Sequence, residues 1–186
     1  MRVIAGSAKG HKLQTIEGLH TRPTTDRIKE TLFNIIAFDL PECRFLDLFS
    51  GSGAIGIEAL SRGAAYAVFV EQSAECQKVI DENLEHTKLK ESAMVMQMTV
   101  ETALDKLSMQ KKQFDMIFMD PPYAADLTKN TLQQIADGNL LAQNGIVIVE
   151  HSTKNQIIPP TGWCVYRKKD YKTTTISFLC VEGTNV

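Results

Sequence analysis

Three short stretches carry residues whose types and spacing could do chemistry. In MIFMDPPY, residues 116–123, an apolar run ends in a carboxylate, two prolines and an aromatic ring. Proline has no N–H to donate and a fixed φ, so pairing stops there and Asp120 is held stiffly at a strand end. In Gly51-Ser52-Gly53-Ala54-Ile55-Gly56 the glycines follow an apolar run and precede a helical one. Glu71 closes the next apolar run about 20 residues later, the spacing of a nucleotide-binding loop and its ribose-binding acid. The third feature is Asp47, just ahead of that loop. A dinucleotide would set its pyrophosphate at the following helix N-terminus, where a carboxylate repels it. The ammonium and sulfonium of S-adenosylmethionine are attracted by the same carboxylate, so the residue types lean toward the methyl donor. A nicotinamide oxidoreductase is the rival reading, and it rests on the glycine pattern alone.

These stretches need a frame that brings strand ends to one edge. Ile28, Leu32, Ile35 and Ile36 recur at helical spacing, in a helix that must end before Pro41. Residues 45–49, 67–70, 93–98, 114–119 and 145–150 read as strands. Between them lie helical segments after the glycine loop, after a capping Ser73, over 101–107 and over 127–135. This alternation predicts an α/β fold, a mostly parallel sheet with helices on both faces. Two β-rich runs, 163–166 and 173–181, lie too close for a crossover helix and predict an antiparallel edge hairpin. Near the start, Val3-Ile4-Ala5 and Lys12-Leu13 flank a turn-like GSAKG and predict a small hairpin. Residues 1–40, hairpin and helix, are expected to form an extension packed on a core of residues 41–186. Ligands of such sheets bind at the carboxyl ends of the strands, so Asp47, Glu71 and Asp120 are expected in one site.

Composition narrows the classes. Hydrophobic residues are 44% and charged residues 23%, ordinary for a globular protein. No apolar run approaches the roughly 20 residues a bilayer span needs. The N-terminus is too short in apolar length for a secretory signal, so a cytoplasmic location is expected. Cys43, Cys76, Cys164 and Cys180 are scattered, which predicts neither a disulfide framework nor a metal site. The four histidines lie outside these stretches and read as non-catalytic, and Met94, Met96 and Met98 read as sheet packing. A net charge of −2 argues against nucleic-acid binding by bulk charge. Two local basic clusters remain: Arg22, Arg27 and Lys29, and Arg167-Lys168-Lys169 with Lys172. Taken alone, each reads as a solvated face.

LDLFSGSGAIGIEAL, residues 46–60, resembles motif I of class I S-adenosylmethionine-dependent methyltransferases. The resemblance implies their Rossmann-like sheet. It places Asp47, Phe49, Gly51 and Gly53 around the methionine portion and Glu71 on the ribose, with Ser52 among the cofactor-binding residues. In that family a third acidic residue follows the third strand. Here MTVETAL offers Thr99 or Glu101, depending on register, and the first register sets Val100, as the next residue, against the adenine. Asp120-Pro121-Pro122-Tyr123 resembles the (D/N/S)PP(Y/F/W) motif of amino-methyltransferases. The amine of a base is a poor nucleophile because its lone pair is delocalised. A carboxylate and a carbonyl, from Asp120 and Pro121, can hold its two N–H groups and favour pyramidal nitrogen. Pro122 stiffens the pair, and Tyr123 would stack on the base, worth roughly 1–3 kcal/mol. Such a base has to be unstacked or flipped.

The motif leaves adenine N6, cytosine N4, guanine N2 and glutamine open. RVIAGSAKGHKL with RPTTDRIKETLFNII, and the order of the later motifs, resemble the RsmD-type 16S rRNA (guanine-N2)-methyltransferases. The resemblance weakens only near the end, where the family has Tyr-Gly and this chain has Tyr171-Lys172. It implies one guanine of 16S rRNA as substrate, position 966 in the usual rRNA numbering, with S-adenosylhomocysteine as product. It also places Arg22, Thr24, Asp26 and Arg27 at the lip of the pocket, near cofactor and RNA. A monomer is expected. No insertion large enough for a target-recognition domain separates the glycine loop from DPPY. Specificity is therefore expected from folded RNA and ribosomal proteins, in a 30S subunit or assembly intermediate. The alternatives are an adenine-N6 or other amino-methyltransferase acting on DNA or another RNA, and a non-catalytic RNA or ribosome binder.

Overall fold

The computed structural model describes residues 1–16, 26–122 and 125–184. The chain divides into two compact units, Met1–Met98 and Thr99–Val186.

In the first unit, β1 (Arg44–Leu48) is buried from its second residue onward, as a parallel strand covered on both faces must be. It pairs in parallel with β2 (Tyr66–Glu71), which pairs in parallel with β3 (Ala93–Gln97). Helix α1 spans Asp26–Ile35 and ends short of Pro41, as the periodicity predicts. Helix α2 (Ala54–Ser61) is apolar nearly all round and buried at every residue. Helix α3 (Ala74–Thr87) buries Cys76, Ile80 and Leu84, and the Ser73 hydroxyl accepts from the Cys76 N–H at 3.3 Å, the expected cap. Of the alternating methionines, Met96 is buried, but Met94 on β3 is 44% exposed.

The N-terminal hairpin forms, with Arg2 bridged to Lys12 and Val3 bonded to both Gly10 and His11. Its anchor is Glu58 on α2. That carboxylate accepts from the Ile4 and Ala5 N–H groups at 2.8 and 3.0 Å. It also takes Lys29 Nζ at 3.1 Å and Arg62 Nε at 2.8 Å. Lys29 Nζ donates in turn to the Arg2 carbonyl at 2.6 Å. Burial pushes the Lys29 ammonium's pKa down, while Glu58 pulls it back up. Lys29 therefore leaves the solvated basic cluster in which its sequence neighbours place it. Hairpin and helix close over it, and its charge is spent inside. Gly6 has φ +84°, and a Cβ there would stand 1.7 Å from the Ser61 carbonyl oxygen, so only glycine lets the hairpin lie this close to α2.

In the second unit, α4 (Val100–Met109) is capped by Thr99, whose hydroxyl accepts from the Thr102 N–H at 3.3 Å. Then come β4 (Phe114–Met119), α5 (Ala125–Asp137), β5 (Leu141–Ser152), β6 (Trp163–Asp170) and β7 (Thr174–Val181). β4 and β5 are parallel, β7 is antiparallel to β5, and β6 lies outside β7 as the edge strand. β5 begins earlier than its apolar run suggests. Asn144 has φ +63°, and the register against β4 shifts between Phe114 and Met116, so a bulge carries the strand past its polar residues. Seven strands, mostly parallel with an antiparallel edge hairpin, and five α-helices among the described residues make the fold Rossmann-like. Among those residues no helix is long and apolar enough to cross a membrane.

Candidate active site

In the first unit, the glycine loop is held by carboxylates. Asp47 is buried near the end of β1, and its Oδ2 accepts from the Gly56 N–H at 2.9 Å. Burial raises the Asp47 pKa to about 7; the Gly56 N–H opposes this, and the nearby Glu71 charge adds to it. Glu71, at the end of β2, accepts from the Gly51 N–H at 3.0 Å and from the Ser73 N–H at 2.9 Å. Asp47, Gly51, Gly56 and Glu71 thus come together as the spacing predicts.

The turn between them is tight. Phe49, Gly51 and Gly53 all have positive φ, at 61°, 54° and 77°. The three motif glycines differ in what surrounds them. A Cβ on Gly56 would meet the Phe69 ring at 2.3 Å, and one on Gly53 would meet Ile80 at 3.2 Å. A Cβ on Gly51 would meet nothing within 4 Å. The second and third glycines let helix, loop and strand pack, while the first faces open space where a ligand can approach. Ser52 is half-buried. Its carbonyl accepts from Asn83 Nδ2 at 3.0 Å.

The second unit carries the remaining residues that the sequence singles out. Asp120 follows β4 directly and is partly exposed, Pro121 is buried and Pro122 is exposed. Packing thus fixes the residue whose carbonyl was expected to act as an acceptor. Tyr123 lies outside the described residues. Val100 is the first residue of α4 and is buried. Arg27 is exposed in the first turn of α1, whereas Arg22 and Thr24 lie outside the described residues. His151 is engaged at both ring nitrogens, with the Ser152 carbonyl at 2.9 Å and the Ser177 hydroxyl at 2.8 Å. Among the described residues no group of three or more His, Cys, Asp or Glu side chains could hold a metal ion.

Comparisons with known proteins meet this geometry over nearly the full length. The family model described as conserved hypothetical protein 95 matches residues 1–180. Ribosomal RNA small subunit methyltransferase D of Escherichia coli is 34% identical over 170 residues, covering 91% of this chain and 84% of that one. The chain belongs to the RsmD family of small-subunit rRNA methyltransferases. YlbH of Bacillus subtilis is 38% identical over 184 residues, 98% of this chain and all of that one. Among solved structures, yhhF from Escherichia coli superposes with a TM-score of 0.87 at 33% identity, covering 99% of both chains.

Within this RsmD-family chain, three supporting residues are given no role by the motifs, Ser50 and Glu58 inside residues 46–60 and Asn83 beyond them. The Ser50 hydroxyl donates to the Asp47 carbonyl at 2.6 Å and accepts from the Val70 N–H at 3.0 Å, pinning β1 to β2 where the loop leaves the sheet. Asn83 is buried; its Oδ1 accepts from the Gln14 N–H at 2.8 Å, and its Nδ2 donates to the Gln14 carbonyl at 3.1 Å. One amide thus fastens both the N-terminal segment and the glycine loop. Glu58, inside IEALS, looks like a solvated position on a short helix. Only its place beneath the hairpin reveals it.

Proposed function

We propose that the chain transfers a methyl group from S-adenosylmethionine to N2 of one guanine in 16S rRNA, on an assembled 30S particle or a late intermediate. The observation that carries this reading is the Asp120-Pro121-Pro122 run at the carboxyl end of β4 in an RsmD-family chain. The small subunit methyltransferase D relatives support rRNA as the substrate, and the resemblance carried by the RPTTDR block supports guanine N2 over adenine N6.

The residues present fit the methyl donor. Gly51 opens onto free space, and Glu71 is a half-exposed carboxylate already aimed at the loop. Asp47, Phe49, Gly51, Ser52 and Gly53 would hold the methionine portion, Glu71 the ribose and Val100 the adenine. When bound, S-adenosylmethionine supplies a methyl group on a cationic sulfonium.

Asp120 and the Pro121 carbonyl accept the two N–H groups of the guanine amine and favour pyramidal nitrogen. The buried Pro121 fixes the acceptor geometry, and such positioning can supply several kcal/mol of the barrier. Tyr123 stacks on the base. The surplus proton leaves afterwards to water or to Asp120, so no strong base is needed before attack. The fastening of residues 1–14 to Glu58 and Asn83 supports reading residues 1–40 as an extension of a catalytic domain over 41–186. The reaction belongs to the cytoplasm, where 30S particles are assembled, and the acting species is a monomer.

Nucleoside mass spectrometry of 16S rRNA from cells lacking the protein tests the reading. One N2-methylguanosine is expected to disappear, and an intact set would sink it. Asp120→Ala is expected to keep S-adenosylhomocysteine affinity while methylation falls on the order of 100-fold or more. Unchanged turnover would remove Asp120 from the chemistry. Purified 30S particles should be methylated far faster than naked 16S rRNA, and equal rates would refute the particle as substrate.

A further inference from the structure

The edge hairpin carries its charge at one end. Trp163 at the start of β6 is buried, and Cys164 and Val165 are half-covered. From Tyr166 to Asp170 every residue is exposed, and Arg167, Lys168 and Lys169 are consecutive cations. Registers place this charged half precisely enough to matter. Lys169 pairs with Ile176 on β7, and Ile176 pairs with Glu150 on β5. Val149 is level with Met119, so Glu150 is level with Asp120. The basic half of β6 therefore lies at the end of the strands where Asp120 sits, three strand spacings away, or about 14 Å.

Two loop cations join it. The Thr153 N–H donates to the Thr173 carbonyl at 3.3 Å, which brings the turn carrying Lys154 against the turn carrying Lys172. Both lysines are exposed. Against these five cations stands Asp170, whose carboxylate accepts from the Thr175 hydroxyl at 2.7 Å. Burial lowers the pKa of nearby His151, against the Ser152 carbonyl contact that raises it, which favours the neutral ring. In a chain of net charge −2, this is a concentrated positive patch.

Edge strands often carry lysines to block pairing with another sheet. That account covers a cation in mid-strand. It does not cover Lys154 and Lys172, which are in turns, or the bias toward the Asp120 end. We propose that Lys154, Arg167, Lys168, Lys169 and Lys172 form a phosphate-binding surface for the RNA strand flanking the target base. The proposal rests on the function proposed above and adds where the backbone of that RNA is held. Phosphate contacts of this kind set register and affinity and carry no base preference.

The test measures equilibrium binding of the full chain to 16S rRNA over a range of salt concentrations. It compares K154E/K168E/K172E with the milder K154Q/K168Q/K172Q. Calorimetric S-adenosylhomocysteine affinity confirms that each variant is folded. The glutamate variant is expected to bind RNA at least ~10-fold more weakly, and the glutamine variant to lower the salt slope by roughly one for each phosphate contact removed. Wild-type affinity and slope in both variants would overturn the surface. Binding reads out the surface, and the identity of the methylated nucleoside reads out the function, so either can fail without the other.

Discussion

Asp47 meets opposing demands on one carboxyl group. Its burial favours the neutral form and raises the pKa to about 7, yet a cationic ligand beside it would favour the ionised form. The folded pKa lies above the unfolded value of 3.8, so the folded protein holds the extra proton between those limits. The ligand-free protein therefore loses stability as pH rises from about 4 to about 7. Binding an amino-acid ammonium next to Asp47 must then expel a proton. S-adenosylhomocysteine affinity is expected to tighten as pH rises through about 7, and Asp47→Asn to flatten that profile. Calorimetry in buffers of differing ionisation enthalpy would register the proton release; none at pH 6.5 would refute it. Gly56 makes a second residue-scale prediction. Its missing Cβ leaves room for the Phe69 ring, so Gly56→Ala should cost about 1–3 kcal/mol, with part recovered by adding Phe69→Leu. Chemical denaturation of the single and double variants measures both values, and additive losses would contradict a direct clash.

At the scale of elements, the N-terminal hairpin and α1 meet α2 through one buried carboxylate. Glu58→Ala leaves the Lys29 ammonium buried without its counter-charge and leaves the Ile4 and Ala5 N–H groups without their acceptor. A loss on the order of 3–5 kcal/mol is expected, seen as a lower denaturation midpoint. A change below 1 kcal/mol would show that the hairpin contributes little. These elements also mark where the sequence stopped being readable. The glycine loop, Glu71 and the strand before Asp120 announce themselves because glycine spacing and apolar runs are local signals. β5 was harder, since Gln143 and Asn144 break its apolar pattern and a bulge absorbs them. The outer half of β6 was hidden because an edge strand exposed on both faces can carry four charged residues in a row. Lys29, Glu58 and Asn83 could not be assigned at all. Their partners lie far along the chain, and a charged or amide side chain looks the same in sequence whether solvated or buried.

For the whole molecule, one pattern is that polar side chains buried in the first unit serve as fasteners. The Ser61 hydroxyl donates to the Ala5 carbonyl at 2.6 Å and accepts from the Ala8 N–H at 3.0 Å, beside the Glu58 anchor. Removing residues 1–14 would strip donors from Glu58, Ser61 and Asn83 together. Hydrogen exchange is expected to speed up in α2 and in the glycine loop of that truncated chain, with weaker S-adenosylhomocysteine binding. Wild-type protection in the loop would show that Asn83 holds Ser52 without help from the N-terminus. The same fasteners set a timetable for synthesis. Ile4 is 54 residues from Glu58, and Gln14 is 69 residues from Asn83. A ribosome makes the hairpin before its anchors, which emerge only after most of the first unit has been translated. The hairpin is thus made before α2 and α3 and is secured only after them. Until Glu58 and Asn83 emerge, the hairpin lacks these partners, and a pause in translation before that point would leave it open to chaperones and proteases.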